Sequence, residues 1–335
     1  MAEEVYILHG VNPSPYSMKM RAVLRYRRLA FEWRNDGRAR DIAVSAGLPP
    51  VIPVLRFPDG TILNDSTPLI EELERRHPGK RSLTPDDPGQ AFLAFLIEDM
   101  ADEWLTKAMY HYRWWYEPDR AFAALWVVGD RMIGRPPAEV ARTGQAFIDR
   151  QVGRMALVGS TAENRPTIEK SYLRVLDTLE KGLSAQAFLF GSRPSLADFA
   201  LFGQLWTLSV DPTPAAIMRE RAPGVLTWLL RIDDASGIEG EWGAADAPLP
   251  AMVRDLLQLC GDTYLPFLAA NAQATAEGRE SVSVTLRGRP YEQATFRYQA
   301  KCYDALRHRF AKLGASHRAG LEPLLEETGC LSYLA

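Results

Sequence analysis

Val5-Tyr6-Ile7-Leu8-His9-Gly10-Val11-Asn12-Pro13-Ser14-Pro15-Tyr16 is the stretch that decides the fold. Its first four residues are β-branched, aromatic or aliphatic, the composition of a short buried strand. The prolines then end that strand. Ser14 followed by Pro15 reads as a helix start, because proline suits the first helical position. Residues 16–29 read as the helix itself. Met20, Val23, Leu24 and Leu29 fall roughly on one face, and Lys19, Arg21, Arg25, Arg27 and Arg28 supply solvated positions. Phe31-Glu32-Trp33 reads as a second strand, and residues 35–48 as a loop with an irregular helix. Residues 54–57 and 61–63 flank Pro58-Asp59-Gly60, a hairpin with a turn-forming Asp-Gly. Residues 67–76 read as a helix that stops at His77-Pro78-Gly79. The order is that of a small α/β domain over residues 1–78.

The stretch HPGKRSLTPDDPGQ (77–90) is rich in proline, glycine and charge and reads as a linker. Beyond it the pattern is helical over 90–115, 119–133, 137–158, 166–185, 195–209 and 223–232, loop-like over 236–250, and helical again over 251–277 and 291–313. Residues 281–286 alternate like a strand that has no obvious partner. There is no internal repeat. The domain division expected is 1–78, a linker over 79–90, a helical domain over 91–245, and a mostly helical extension over 246–335 packed on it.

At 335 residues the chain is long enough for two domains and a sizeable core. The net charge of −3, without long runs of one sign, gives no electrostatic case for nucleic acid or an anionic membrane. No stretch approaches the roughly 18 apolar residues of a membrane span. The acidic start runs straight into a strand, unlike a signal peptide, so a cytoplasmic location is expected. Cys260, Cys302 and Cys330 have no metal-ligand spacing, and the five histidines form no metal motif, which argues against a metal site.

Three signals carry chemistry. Ser14 reads either as an ordinary helix N-cap or as a hydroxyl donating to an anion at the positive end of a helix. A hydrogen bond to a charged group is worth about 1.5–3 kcal/mol, and the helix terminus adds about 0.3–1 kcal/mol. A thiol of pKa about 8.5 held there would be mostly ionised near neutral pH. Pro53 is either a trans proline at a strand start or a cis proline that presents the backbone N–H and C=O of Ile52 to an extended peptide. Asp65 and Ser66 open a helix, as caps or as a site where a carboxylate takes an ammonium and a hydroxyl takes a carboxylate. Together the three would hold a small peptide with a thiol at one end and an amino-acid head at the other.

These residues resemble the cytosolic glutathione transferases, over roughly residues 4–232. Ser14-Pro15-Tyr16 resembles the catalytic Ser-Pro-Phe of the tau-like serine classes. Ile52-Pro53 is similar to the family's Val-Pro with its cis proline. Asp65-Ser66 resembles the Glu-Ser pair that grips the γ-glutamyl end of glutathione. Gly191–Asp198 resembles the helical-domain motif, in which Ser195 and Asp198 would form a capping box. The resemblance implies a thioredoxin-like N-terminal domain, an all-α helical-bundle C-terminal domain, and a homodimer. It implies glutathione as co-substrate, with no metal or nucleotide. Ser14 would stabilise the glutathione thiolate, which attacks a hydrophobic electrophile or reduces a peroxide. Tyr16, Ile52, Pro53, Asp65 and Ser66 would hold glutathione, with Tyr6, Tyr16 and Ser17 as back-ups to Ser14, Tyr6 reading as core and Tyr16 as a packing residue. No cysteine precedes Cys260, so the mixed-disulfide chemistry of the cysteine-bearing relatives lacks its nucleophile.

Residues 104–126 hold four of the eight tryptophans. That segment reads as core, or, by the resemblance, as the wall of the electrophile pocket, with Met109, Tyr112, Arg113 and Tyr116 as contacts. His111 reads as a partnered structural histidine. Two other readings stay open: a noncatalytic binding or assembly module on the same fold, and a glutathione-dependent etherase or dehalogenase.

Overall fold

The molecule is a computed structural model that describes residues 5–79 and 81–335. The reading of the acidic start at residues 1–4 lies outside them. Strand β1 (Tyr6–His9) leads through α1 (Pro15–Tyr26) to β2 (Phe31–Arg34), then α2 (Ala39–Ser45), β3 (Val54–Arg56), β4 (Ile62–Asn64) and α3 (Ser66–Arg76). Because a helix joins β1 to β2, the two pair in parallel, with Tyr6 opposite Phe31. The tight Asp-Gly turn makes β3 and β4 antiparallel, with Leu55 opposite Leu63. The sheet order is β2-β1-β3-β4, a thioredoxin-like arrangement.

Helix α1 differs from its expected amphipathic form. Met18, Met20, Val23 and Leu24 are buried, but so are Lys19 and Arg27. The Lys19 ammonium lies between Glu98 and Asp102, 2.6 and 2.7 Å away. The reason is tertiary: α1 is packed on its other side too, so its basic residues meet carboxylates instead of water.

Helix α4 (Pro88–Met100) passes through a π turn (Ala101–Leu105) into α5 (Thr106–Trp115) where the sequence suggested one unbroken helix. Then come α6 (Glu117–Gly129), α7 (Pro137–Val152), α8 (Arg165–Leu183), α9 (Leu196–Leu208), α10 (Pro212–Arg221) and α11 (Pro223–Asp233). Residues 156–158 form a 3-10 turn rather than the end of α7. Helix α10 was not expected. The capping box of α9 is present: the Asp198 carboxylate accepts the Ser195 amide at 2.8 Å.

The extension holds α12 (Ala251–Leu259), α13 (Leu265–Ala276), β5 (Ser281–Leu286), β6 (Arg289–Ala294), α14 (Arg297–Lys312), α15 (Ala315–Glu327) and α16 (Leu331–Leu334). Two expectations are corrected here. Strand β5 has a partner, β6, and the helix expected from 291 begins only at Arg297. Arg287 and Gly288, both left-handed (φ 49° and 74°), make the two-residue turn between the strands. The extension shares one apolar core with the rest. Trp104 packs on Phe267 and Tyr291 at 5.4 and 5.3 Å, and Phe92 on Phe310 at 5.3 Å. Among the described residues no helix is long and apolar enough to cross a membrane.

Candidate active site

Ser14 is in extended conformation, and Pro15 takes the first helical position of α1. The Ser14 hydroxyl accepts the Ser17 amide hydrogen at 3.3 Å and is 8% exposed. The turn before it is held from the helical side. Arg113 donates to the Pro13 carbonyl at 3.0 Å, and Asp130 accepts from the amide and side chain of Asn12 at 3.0 and 2.6 Å. Arg113 is itself anchored on buried Asp211 at 2.8 Å. Ser17 is buried and accepts the Val11 amide hydrogen, and Tyr6 is buried in the core.

The Ile52–Pro53 peptide bond is cis. Ile52, Tyr16 and Asp65 meet at a cavity of about 190 Å³ whose other walls are Val51, Thr67, Asp99, Asp102, Glu103 and Tyr298. Tyr16 reaches across to the helical side, where its hydroxyl donates to the Asp102 carbonyl at 2.9 Å. Asp65 precedes α3 in a left-handed conformation (φ 73°) and makes no side-chain cap bond. Its carboxylate instead accepts from the Tyr298 hydroxyl at 2.7 Å. Ser66 is buried, and its hydroxyl lies 3.4 Å from Asp102 Oδ2. Thr67 donates to Glu98 at 2.5 Å. The start of α3 is thus tied to the same carboxylates that hold Lys19.

The wall is acidic. Burial pushes the Asp102 carboxyl up to about 6 against the pull of Lys19, and Glu103 up to about 7 against a hydrogen bond from Gln299. Burial also raises Asp99 well above the carboxylate range, although Tyr264 donates to it at 2.6 Å. Lys19 feels the same desolvation, yet its two ion pairs outweigh it and hold the ammonium charged.

The residues expected at the electrophile pocket are not brought to this cavity. Met109, Tyr112 and Arg113 are buried between helices. Tyr112 stacks on Tyr116 at 5.9 Å and meets Tyr172 edge-on at 5.3 Å, while Tyr116 donates to Glu169 at 2.5 Å. His111 is partnered by Ser160 at 2.7 Å and Glu169 at 3.3 Å. Sequence reading missed Lys19, Asp99, Asp102, Glu103 and Tyr298. A signal existed for the carboxylates: Glu98, Asp99, Asp102 and Glu103 interrupt an otherwise apolar helix, where ionised groups need a reason. Tyr298 offered none. The cysteines are unpaired, Cys260 and Cys330 buried, and no group of three or more His, Cys, Asp or Glu among the described residues is arranged to hold a metal ion.

Two family models match this chain: the glutathione S-transferase N-terminal domain over residues 8–81, and the glutathione S-transferase C-terminal domain over residues 138–231. The chain belongs to the glutathione transferase superfamily. Glutathione S-transferase U25 of Arabidopsis thaliana is 24% identical over 234 residues, 68% of this chain and 84% of the relative. Among solved structures, the tau-class glutathione S-transferase of mango, Mangifera indica, is 17% identical, with a TM-score of 0.43, over 68% of this chain and 87% of that one. The β-etherase LigF of Sphingobium sp. strain SYK-6 is 22% identical, with a TM-score of 0.46, over 68% of this chain and 94% of that one. The cavity of this glutathione transferase homologue is walled by the matched N-terminal portion, by Asp99, Asp102 and Glu103, which lie between the two matched portions, and by Tyr298, which lies beyond both.

Proposed function

We propose that this protein binds glutathione and activates its thiol for transfer to an electrophile. The observation that carries the reading is the meeting of Tyr16, Ile52 and Asp65 at one cavity, with Tyr16 in the first turn of the helix that Ser14 caps. Asp65 takes the γ-glutamyl ammonium. Ile52 offers backbone groups to the peptide. The Ser14 hydroxyl accepts from Ser17 and donates its own hydrogen to the thiolate, assisted by the positive end of α1. The thiol loses its proton to water, the sulfur forms a bond to an electrophilic carbon, and the leaving group departs with the bonding pair.

One observation favours a second reading, a binding module without chemistry: Ser14 is not among the residues that wall the cavity. Glutathione titration with the thiol pKa as readout separates the two, since the transferase lowers that pKa and the module leaves it unshifted. A substrate panel including aryl ethers and haloalkanes then separates general conjugation from ether cleavage or dehalogenation.

A further inference from the structure

We propose that Tyr298 is a positioning residue of the head-group site, holding the Asp65 carboxylate toward the cavity to receive a primary ammonium. The inference rests on the cavity being the glutathione site. An aspartate directly before a helix ordinarily turns its carboxylate onto the first amides of that helix. Asp65 does not: its backbone is left-handed and it makes no cap bond. A carboxylate released from that role needs another donor, and the Tyr298 hydroxyl supplies one, 2.7 Å from Oδ2 and 233 positions away in sequence.

The surroundings make that donor matter. Asp99, Asp102 and Glu103 share the wall, and among the described residues none that lines it is lysine or arginine. Lys19 is engaged by Glu98 and Asp102. Burial favours the neutral form of Asp99 and Lys19 offsets Asp102, so the negative charge facing the cavity is chiefly that of Asp65 with the ionised fraction of Glu103, and it attracts a cation. A carboxylate has about four acceptor positions on two oxygens, so the Tyr298 bond leaves Asp65 able to accept from an ammonium as well. Helix α14 fixes the tyrosine's position through neighbouring contacts. Gln299 donates to the Glu103 carboxylate at 3.1 Å, Arg309 pairs with Glu71, and Phe310 packs on Phe92. The extension thus contributes directly to ligand selection: a ligand with a free ammonium gains from the oriented carboxylate, and one without it does not.

The test uses the full-length protein and its Tyr298→Phe variant. Calorimetry measures Kd for glutathione and for glutaryl-cysteinyl-glycine, the analogue in which hydrogen replaces the ammonium. Tyr298→Phe is expected to raise the glutathione Kd by about three- to tenfold, because the bond is charge-assisted but partly exposed. The analogue's Kd and the kcat at saturating glutathione stay unchanged. Equal losses for both ligands, no loss for either, or tighter glutathione binding by the variant each overturn the proposal. Absence of glutathione binding by the unmodified protein overturns the glutathione reading and this inference together, and that result is seen before any variant is made.

Discussion

Among the described residues the Ser14 hydroxyl accepts one hydrogen bond, from Ser17, and donates none. Ser14→Ala is therefore expected to cost about 0.5–2 kcal/mol as a lost cap, read by thermal melting, and to raise the pKa of the bound thiol. Turnover at neutral pH identical to that of the unmodified protein would remove Ser14 from the mechanism. Lys19 sits at the other end of the scale of cost. Lys19→Met leaves Glu98 and Asp102 buried without their cation and is expected to destabilise by about 3–5 kcal/mol, measured by denaturant unfolding. Lys107 is the reverse case. It is buried, among the described residues it has a single hydrogen-bond acceptor, Gln293 at 2.6 Å, and burial pulls its pKa down to about 7. Between pH 7 and the unfolded value near 10.4 the unfolded chain binds the proton that the folded chain has lost, so stability from this group rises with pH across that window. Lys107→Met removes the buried amine while Tyr291 still donates to Gln293. The substitution is expected to raise the melting temperature, more at pH 6 than at pH 9. An equal rise at both would show that desolvation of the ammonium is not the cause.

At the level of elements, the position of Ser14 depends on how closely α1 approaches α9. A Cβ at Gly203 would lie 2.5 Å from the Pro15 carbonyl oxygen and 3.1 Å from Lys19 Cβ. Gly203→Ala must push the first turn of α1 outward. The expected cost is about 1–3 kcal/mol, together with weaker lowering of the bound thiol pKa. A variant with normal thiol ionisation would uncouple the helix packing from the site. The elements that sequence made legible are those set by local chemistry: the serine and proline that start α1, the Asp-Gly turn of β3 and β4, the capping box of α9. The elements it hid are set by tertiary contacts. Strand β6 is polar and contains Pro290, so it reads as a strand only when β5 and the Arg287-Gly288 turn are beside it. The solvated reading of Lys19 failed because its partners are 79 and 83 positions away. The π turn places Asp102 and Glu103 at the cavity, and no composition rule marks where a helix adopts one.

Across the whole molecule, the extension is both core and site wall. Tyr264 satisfies buried Asp99, Phe267 and Tyr291 cover Trp104, and Tyr298 reaches Asp65. A chain ended after residue 245 is expected to lose solubility and its cooperative melting transition, checked by soluble yield and calorimetry; a sharp transition in the shortened chain would contradict the shared core. Of the residues that wall the cavity, Tyr16, Ile52 and Asp65 were legible in the sequence, because they stand where strands turn into helices or meet a proline in the thioredoxin-like portion. The wall was not legible where distant helices contribute carboxylates and a tyrosine. The proposed chemistry requires that α1 and Ser14 lower the pKa of a bound thiol. The most direct measurement is a pH titration of glutathione thiolate absorbance in the presence of the protein and of Ser14→Ala. Ionisation well below the free thiol value is expected for the unmodified protein, with a return toward that value in the variant. Bound glutathione whose thiol titrates as it does in free solution would contradict it.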